Sequence, residues 1–198
     1  MSNYYNSNAA HLFDTYQSLD PDKLHAGWSQ HLPPKPGLAL DIGAGSGRDS
    51  IWLAQKGWEV IAVEPAATLM ELGKGASRSY LVSWIDDCLP GLAKLKEYRQ
   101  KFSLILVSGV FMHLPQQQRA DSLETLTDLL IEDAVLVITL RHGPDSEGRS
   151  FYQVSADEFV QFARKRSLQI EVGNAVPDKL GRDDVTWQVI VVKNGTVV

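Results

Sequence analysis

Leu38-Ala-Leu-Asp-Ile-Gly-Ala-Gly-Ser-Gly47 is the stretch that decides the predicted fold of this chain. Its first five residues are a short, mostly apolar run that indicates a buried strand, and three glycines then alternate with small residues. Arg48 follows and begins a stretch with helical spacing. Glycines let the backbone approach a ligand, and a helix start offers unpaired N–H groups, so this turn is a candidate ligand site. The alternative is a tight turn that holds no ligand.

The rest of the chain repeats this unit, because short β-rich runs alternate with helical stretches from Leu38 onward. The predicted strands are 38–42, 59–63, 80–84, 103–107, 134–140, 168–172 and 185–192. The predicted helices are 48–56, 66–74, 90–98, 115–131 and 155–166, the last with Ser155 and Glu158 as a capping box. The connection between the last two strands has no helical period, so the final strand is expected to pair antiparallel.

The predicted architecture is therefore an α/β fold. It has a seven-stranded sheet, mostly parallel with an antiparallel last strand, and helices on both faces. A length of 198 residues fits one domain. The proline-rich segment Leu32-Pro-Pro-Lys-Pro-Gly37 separates an N-terminal helical extension, residues 1–36, from the α/β core, residues 37–198.

Composition restricts the partners and the location. The net charge of −5 argues against an extended nucleic-acid-binding surface, so a small-molecule partner is predicted. The sequence has neither an apolar run long enough to cross a bilayer nor a secretory signal, and its single cysteine is Cys88. We expect a cytoplasmic protein with no membrane association. His11, His25 and His31 have no metal-ligand spacing, so no metal site is predicted.

The charge at the glycine turn bears on which ligand it would hold. Dinucleotide-binding turns space their glycines G-x-G-x-x-G, whereas this turn reads G-x-G-x-G. Asp41 lies two residues before the first glycine, where a carboxylate would repel a pyrophosphate. S-adenosylmethionine has no phosphate and carries an ammonium and a sulfonium, so the same carboxylate would attract it. The charge favours the sulfonium cofactor.

Carboxylates after the second and third strands are candidate contacts for an adenosine group. Glu64 lies twenty-one residues beyond Gly43, where an acidic residue reaches a ribose diol. This spacing also fits NAD, and the alternative is a solvent-exposed glutamate. Asp86 and Asp87 follow the third strand and can accept from an adenine amino group; Asp86 is the preferred member of the pair. Two adjacent acids at a strand end can also be ordinary surface charge.

Three motifs in this order resemble the class I S-adenosylmethionine-dependent methyltransferases, particularly small bacterial ones. They are residues 38–50, Val60-Ile-Ala-Val-Glu-Pro65 and Phe102-Ser-Leu-Ile-Leu-Val-Ser-Gly-Val-Phe-Met-His-Leu-Pro115. The resemblance implies a Rossmann-like sheet and S-adenosylmethionine as cofactor, with S-adenosylhomocysteine as product. It assigns the cofactor's methionine end to Asp41, Arg48, Ser108, Gly109 and Val110, and the turn backbone to Gly43, Ala44, Gly45 and Gly47. It assigns the ribose to Glu64 and the adenine to Pro65 and to Asp86 or Asp87. The alternative for Arg48 is a surface arginine in the first turn of the helix.

Residues after the fourth and fifth strands are candidate contacts for the acceptor, because they lie at the cofactor edge of the predicted sheet. His113 is the candidate general base because it follows the fourth strand and imidazole titrates near neutral pH, the alternative being a packing role at a helix start. Arg141 and His142 follow the fifth strand and are candidate acceptor contacts, the alternative being a polar connecting loop. The N-terminal segment, with Tyr4, Tyr5, Asn8 and Tyr16, resembles the helix that covers the active site in this family, the alternative being ordinary packing of its aromatic residues.

The acceptor itself is not specified by these motifs. The residues after the fourth strand read Ser108-Gly-Val-Phe-Met-His113 and lack the acidic or Asn-Pro-Pro-Tyr signature of DNA amino methylation. We therefore predict methyl transfer to a small molecule. Two other functions are open: an NAD(P)-dependent oxidoreductase on the same architecture, and a non-catalytic S-adenosylmethionine-binding module.

Overall fold

The structure is a computed structural model that describes residues 2–145, 148–149 and 151–195. The strands in this part of the chain are β1 (Leu38–Ile42), β2 (Glu59–Val63), β3 (Val82–Ile85), β4 (Phe102–Ser108), β5 (Leu130–His142), β6 (Gln169–Val172), β7 (Val176–Pro177) and β8 (Thr186–Asn194). The α-helices are α1 (Ser2–Ser7), α2 (Ala9–Gln17), α3 (Pro21–His25), α4 (Arg48–Gln55), α5 (Ala67–Ala76), α6 (Gln116–Leu129) and α7 (Ala156–Lys165). Short 3-10 helices cover Ser29–His31, Ala93–Tyr98 and Phe111–His113.

The strands form one twisted sheet in the order β3-β2-β1-β4-β5-β8-β6, with β7 paired to β8 beside β6. Neighbours from β3 to β5 run parallel, and β8 is antiparallel to both β5 and β6. The predicted α/β fold with an antiparallel last strand is confirmed. The eighth strand, β7, is a two-residue addition within the connection that the sequence showed as irregular. The chain reverses direction across the sheet between β1 and β4, and in such sheets ligands bind at this switch point.

Side chains of the central strands alternate between two apolar layers. Along β1, Leu40 and Ile42 join the cluster that contains Leu126 of α6 and Phe159 of α7, whereas Ala39 joins the cluster that contains Leu53 of α4. Because both faces of the parallel strands are covered, the strands are apolar along nearly their whole length. The sheet is therefore a rigid base from which the strand ends project.

The largest differences from the predicted element boundaries lie in two segments. Residues 90–98 form a 3-10 helix over Ala93–Tyr98 only, because the Asp87 carboxylate accepts the backbone N–H groups of Cys88 and Lys94 and bends the chain around itself. Helix α6 ends at Leu129, two residues earlier than predicted, and β5 begins at once at Leu130. None of these changes moves a strand end that carries a candidate site residue by more than two positions.

The N-terminal helices pack against the edge of the sheet next to α5, where Ala9 of α2 is buried with Leu69. Trp28, fully buried, packs on Trp52 of α4 with ring centroids 5.6 Å apart. On β3, the Trp84 indole occupies the space beside Gly47 and Gly73 and donates to Ser77 Oγ at 3.0 Å. Among the described residues, no helix has the length and apolarity needed to cross a membrane.

Candidate functional site

A cavity of about 780 Å³ lies at the carboxyl ends of β1, β2, β4 and β5. Its volume is within the range of small-molecule sites. Its walls come from the glycine turn, the segments after β2 and β4, helices α1 and α2, and residues 176–182. The switch point of the sheet and this cavity therefore coincide.

The glycine turn brings bare backbone to this cavity. Gly43 and Gly47 have φ angles of 69° and 78°, which glycine adopts without steric cost. A Cβ atom at Gly43 would lie 2.6 Å from Val110 Cγ2, so a side chain there would collide with the segment after β4. The N–H groups of Gly43 and Ala44 donate to Val63 O at 2.8 and 3.0 Å, which holds the turn against the end of β2.

Glu64 lies at the centre of this arrangement. Its carboxylate accepts from Gly45 N at 2.9 Å and from Ala66 N at 2.8 Å, and the side chain lines the cavity. Burial raises the pKa of Glu64, while the two backbone hydrogen bonds oppose that shift. Each carboxylate oxygen keeps acceptor capacity, because an ionised carboxylate has about four lone-pair sites. Glu64 is thus a buried, oriented acceptor rather than the solvent-exposed glutamate that was the alternative.

Asp41 does not lie where the sequence argument placed it. It is buried behind the turn, is not among the residues that line the cavity, and accepts from Ser50 Oγ of α4 at 2.6 Å. Burial, with repulsion from Asp49, raises the pKa of Asp41 to about 7. The side chain of the next-to-last residue of β1 points into the packing of α4, so Asp41 contributes to the position of the turn and α4 rather than a charge at the cavity wall.

Arg48 is held by an ion pair of the protein itself. Its Nε and Nη2 atoms donate to the two carboxylate oxygens of Asp49 at 2.7 and 2.8 Å. His25 Nε2 lies 2.9 Å from Asp49 Oδ1, and His25 Nδ1 accepts from Trp28 Nε1 at 3.1 Å. Arg48 and His25 keep the pKa of Asp49 well below its usual range. Because its carboxylate-binding edge is occupied, Arg48 is a weaker candidate for the cofactor carboxylate than the sequence indicated.

Of the two acids after β3, the structure favours the one that the sequence ranked second. Asp87 lines the cavity, as does Pro65, whereas Asp86 does not and lies 3.8 Å from exposed Lys94. Strand β3 ends at Ile85, one residue later than predicted. Since successive side chains alternate in direction, a shift of one residue exchanges the members of such a pair.

The segment after β4 provides the wall opposite the turn. Ser108, Gly109 and Val110 all line the cavity, as predicted from the motif. Gly109 N donates to Thr139 Oγ1 of β5 at 2.9 Å, so the backbone here is fixed to the neighbouring strand.

His113 lines the cavity, but its environment differs from that of an ordinary base. Burial and the charges of Arg149 and Arg141 lower its pKa to about 4. Its Nε2 lies 2.9 Å from the hydroxyl of Tyr5 on α1. Burial raises the pKa of Tyr5 to about 12, so the phenol keeps its proton and can donate it to this nitrogen. His113 is therefore neutral at pH 7, with Nε2 occupied by a residue of the N-terminal extension.

Only one of the two candidate acceptor contacts at the end of β5 reaches the cavity. Arg141 is 5% exposed and lines the cavity, whereas His142 points away from it and lies 3.3 Å from Gln188 of β8. Adjacent strand residues face opposite sides of a sheet, which explains why only one of them reaches the site.

Sequence reasoning missed several residues of the cavity wall. Arg149 lies 5.1 Å above the Tyr4 ring and 5.4 Å from the Phe151 ring. Asp178 and Arg182 form a salt bridge at 2.7 Å in the connection after β7. The sequence carries no signal for that pair, because four-residue spacing brings side chains together on a helix and this segment is irregular. The sequence also carries no signal for Arg149, because nothing in the loop sequence shows which way the loop folds.

Together the sheet order and the cavity define a Rossmann-like α/β protein with a cavity at the strand switch point. Residues 39–133 match the family model of the methyltransferase domain. A relative, described as an uncharacterized methyltransferase of Staphylococcus carnosus (strain TM300), is 28% identical over 102 residues, 52% of this chain and 46% of that protein. The chain thus spans less than half the length of this relative.

Two solved structures have the same fold. The 1,6-didemethyltoxoflavin-N1-methyltransferase of Burkholderia thailandensis, with bound 1,6-didemethyltoxoflavin and S-adenosylhomocysteine, has a TM-score of 0.69 at 19% identity, over 98% of this chain and 87% of that chain. The phosphoethanolamine N-methyltransferase 2 of Haemonchus contortus, in complex with S-adenosyl-L-methionine, has a TM-score of 0.70 at 17% identity, over 88% and 53%. The chain therefore has the fold of these methyltransferases, and just under half of it matches the methyltransferase domain.

Proposed function

We propose that this protein transfers the methyl group of S-adenosylmethionine to a small-molecule acceptor. The observation that carries the proposal is Glu64, whose buried carboxylate faces the cavity while accepting from the backbone of the glycine turn. A carboxylate so placed suits two neighbouring hydroxyl donors such as those of a ribose. The cofactors in the structures of similar fold, S-adenosylmethionine and S-adenosylhomocysteine, both contain a ribose.

The residues present fit this cofactor. Gly43 and Gly45 leave the turn backbone open to the cavity, Glu64 would bind the ribose, and Asp87 with Pro65 would contact the adenine. Gly47, a predicted cofactor contact, is not part of the cavity wall and packs against Trp84. Ser108, Gly109 and Val110 would contact the methionine end, with Ala44 and Gly45 contributing turn backbone. When bound, S-adenosylmethionine supplies a methyl group activated by its sulfonium.

The protein contributes mainly proximity and orientation to such a reaction. Residues of the N-terminal extension, 1–36, are proposed to act as a cap, because Tyr5, Leu12 and Tyr16 form one wall of the cavity and restrict water there. His113 as general base stays a prediction. With a pKa of about 4 it has little proton affinity at neutral pH, so a reaction that depends on it would suit an acceptor that is already a good nucleophile.

The test is calorimetric titration of the wild type and of Glu64→Gln with S-adenosylhomocysteine. Removing a charged acceptor of ribose hydroxyls should weaken binding about 10- to 100-fold, from about 1.5–3 kcal/mol for hydrogen bonds to a charged group. Glu59→Gln is the matched control, because Glu59 is exposed at the opposite end of the same strand. Its affinity should equal that of the wild type.

Absence of S-adenosylhomocysteine binding to the wild type would contradict the proposal. Tight NADH binding that Glu64→Gln abolishes would favour the NAD(P)-dependent oxidoreductase. Cofactor binding without methylated product across a broad acceptor panel would favour a non-catalytic module. A small-molecule acceptor rather than a nucleic acid, and a cytoplasmic location, stay predictions from composition.

A further inference from the structure

Arg141 is a buried cation whose main binding edge has no partner in the described part of the chain. Its Nη1 donates to the carbonyls of Gly143 and Pro144 at 3.3 and 2.9 Å, and its guanidinium lies over the Phe151 ring at 4.4 Å. Its Nε and Nη2 atoms are buried without a hydrogen-bond partner. These two nitrogens form the side of the guanidinium that carries two parallel N–H groups.

Two other arginines of the same cavity show what this edge binds. Arg48 uses Nε and Nη2 to hold Asp49, at 2.7 and 2.8 Å, and Arg182 uses them to hold Asp178, at 2.9 and 2.7 Å. Both pairs are bidentate, the geometry in which a guanidinium matches a carboxylate or phosphate. Arg141 is built like these two, but no carboxylate of the described residues is bound to it.

The surroundings make an added anion favourable. A buried charge without a counter-ion is unfavourable, and burial together with the charges of Arg182 and Arg149 lowers the pKa of Arg141. The charges of Asp178 and Asp184 oppose this shift of the Arg141 pKa, but the Asp178 carboxylate is already paired with Arg182. The wall near Arg141 is therefore positive, and a ligand oxyanion there would neutralise it.

The sheet order separates Arg141 from the proposed cofactor contacts. Glu64 follows β2, the glycine turn follows β1 and Ser108 ends β4, whereas Arg141 is on β5, one strand further. Neighbouring strands lie about 4.8 Å apart, so Arg141 is beyond the methionine end of a cofactor bound along β2, β1 and β4. This is the acceptor side of the cavity.

We propose that Arg141 binds an oxyanion, a carboxylate or a phosphate, of the methyl acceptor, so that the substrate is an anionic small molecule. This proposal rests on the proposed function. The bound oxyanion is an anchor and not the methylated atom, because two charge-assisted hydrogen bonds withdraw electron density from it. The apolar and aromatic side chains nearby, Phe151 and Trp187 among them, would contact the rest of the acceptor.

The experiment uses the wild-type protein saturated with S-adenosylhomocysteine and titrated with benzoate, phenyl phosphate and the neutral isostere benzamide. At least one anion should bind about tenfold or more tightly than benzamide. The preferred anion then tells a carboxylate site from a phosphate site. Arg141→Gln should bind that anion about tenfold or more weakly than the wild type. Arg141→Lys should have an intermediate affinity, because lysine keeps the charge but not the two parallel N–H groups. Arg78→Gln, an exposed arginine outside the cavity, is the control.

The possible results of this experiment distinguish a failure of the proposed function from a failure of this inference. If the wild type does not bind S-adenosylhomocysteine, the proposed function and this inference both fail. If the wild type does bind it, three results would overturn this inference alone. The first is equal affinity for the anions and benzamide, and the second is equal anion affinity in wild type and Arg141→Gln. The third is no binding of either anion at about 10 mM, about the weakest affinity that a specific anchor would give. The inference is also overturned if Arg141→Gln weakens S-adenosylhomocysteine about tenfold, since Arg141 would then bind the cofactor carboxylate.

Discussion

At the scale of single residues, Glu64 and Arg141 face the cavity, whereas Asp41 and His142 face away from it. Glu64 follows its strand and faces the cavity, as predicted, whereas Asp41 is inside its strand and faces α4. The same one-residue distinction separates Arg141 from His142 and Asp87 from Asp86. Sequence periodicity assigns a residue to a strand end, but the direction of its side chain depends on the strand's last paired residue, which tertiary packing sets.

The lowered pKa of His113 predicts a pH-dependent stability. Between about pH 6.5 and 4 the unfolded chain binds a proton at this position and the native protein does not, so the free energy of unfolding falls as the pH falls through this window. His113→Gln removes this contribution. Between pH 7 and pH 5, the free energy of unfolding of the wild type should fall by about 2 kcal/mol more than that of the variant, measured by urea unfolding.

Asp41→Asn provides the companion measurement. Because the pKa of Asp41 is raised to about 7, the native protein binds the extra proton between about pH 3.8 and 7, and this site adds stability as the pH falls. The difference between wild type and Asp41→Asn should therefore change with pH in the opposite direction to that for His113→Gln. Parallel pH profiles for wild type and His113→Gln would show that His113 titrates normally.

At the scale of elements, the sequence predicted β1 and β2 to the residue, because both are buried apolar runs bounded by glycine or acidic residues. Helix α7 was equally clear from its capping box. The prediction of a full helix over residues 90–98 was wrong. The Asp87 carboxylate accepts hydrogen bonds from the backbone N–H groups of Cys88 and Lys94, and a helical sequence pattern does not reveal such bonds. Local signals predict elements well until a side chain binds the backbone of its own loop.

The link between α3 and α4 gives a stability prediction. His25 is fully buried, accepts from Trp28 and donates to Asp49, so it joins the N-terminal extension to the helix after the glycine turn. His25→Ala leaves a buried donor and a buried carboxylate each short of a partner. We expect a loss of about 2–4 kcal/mol in the free energy of unfolding, measured with urea.

His11→Ala serves as the control, because His11 is exposed on α2 and its replacement should change stability by less than about 0.5 kcal/mol. Equal unfolding midpoints for wild type and His25→Ala would mean that this network contributes nothing to the attachment of the extension.

At the scale of the whole molecule, ligand binding should stabilise the protein, because the cavity walls come from both the N-terminal helices and the strand ends. At a free concentration of about 100 times its Kd, S-adenosylhomocysteine should add about 2.7 kcal/mol to the free energy of unfolding. For a chain of this length, that corresponds to a rise in Tm of about 5–10 °C, measured by differential scanning calorimetry. NADH at the same concentration is the comparison and should leave Tm unchanged; a larger shift with NADH would contradict the cofactor assignment.

The packing of Trp84 has a consequence for how related sequences diverge. The indole fills the space that side chains at positions 47 and 73 would need, so the turn, α5 and β3 share one volume. A side chain added at position 47 or 73 would collide with the indole, and a smaller residue at position 84 would leave a void. Homologues with a small residue at position 84 are therefore the ones in which alanine or serine should replace Gly73, and substitutions at these two sites should be inherited together.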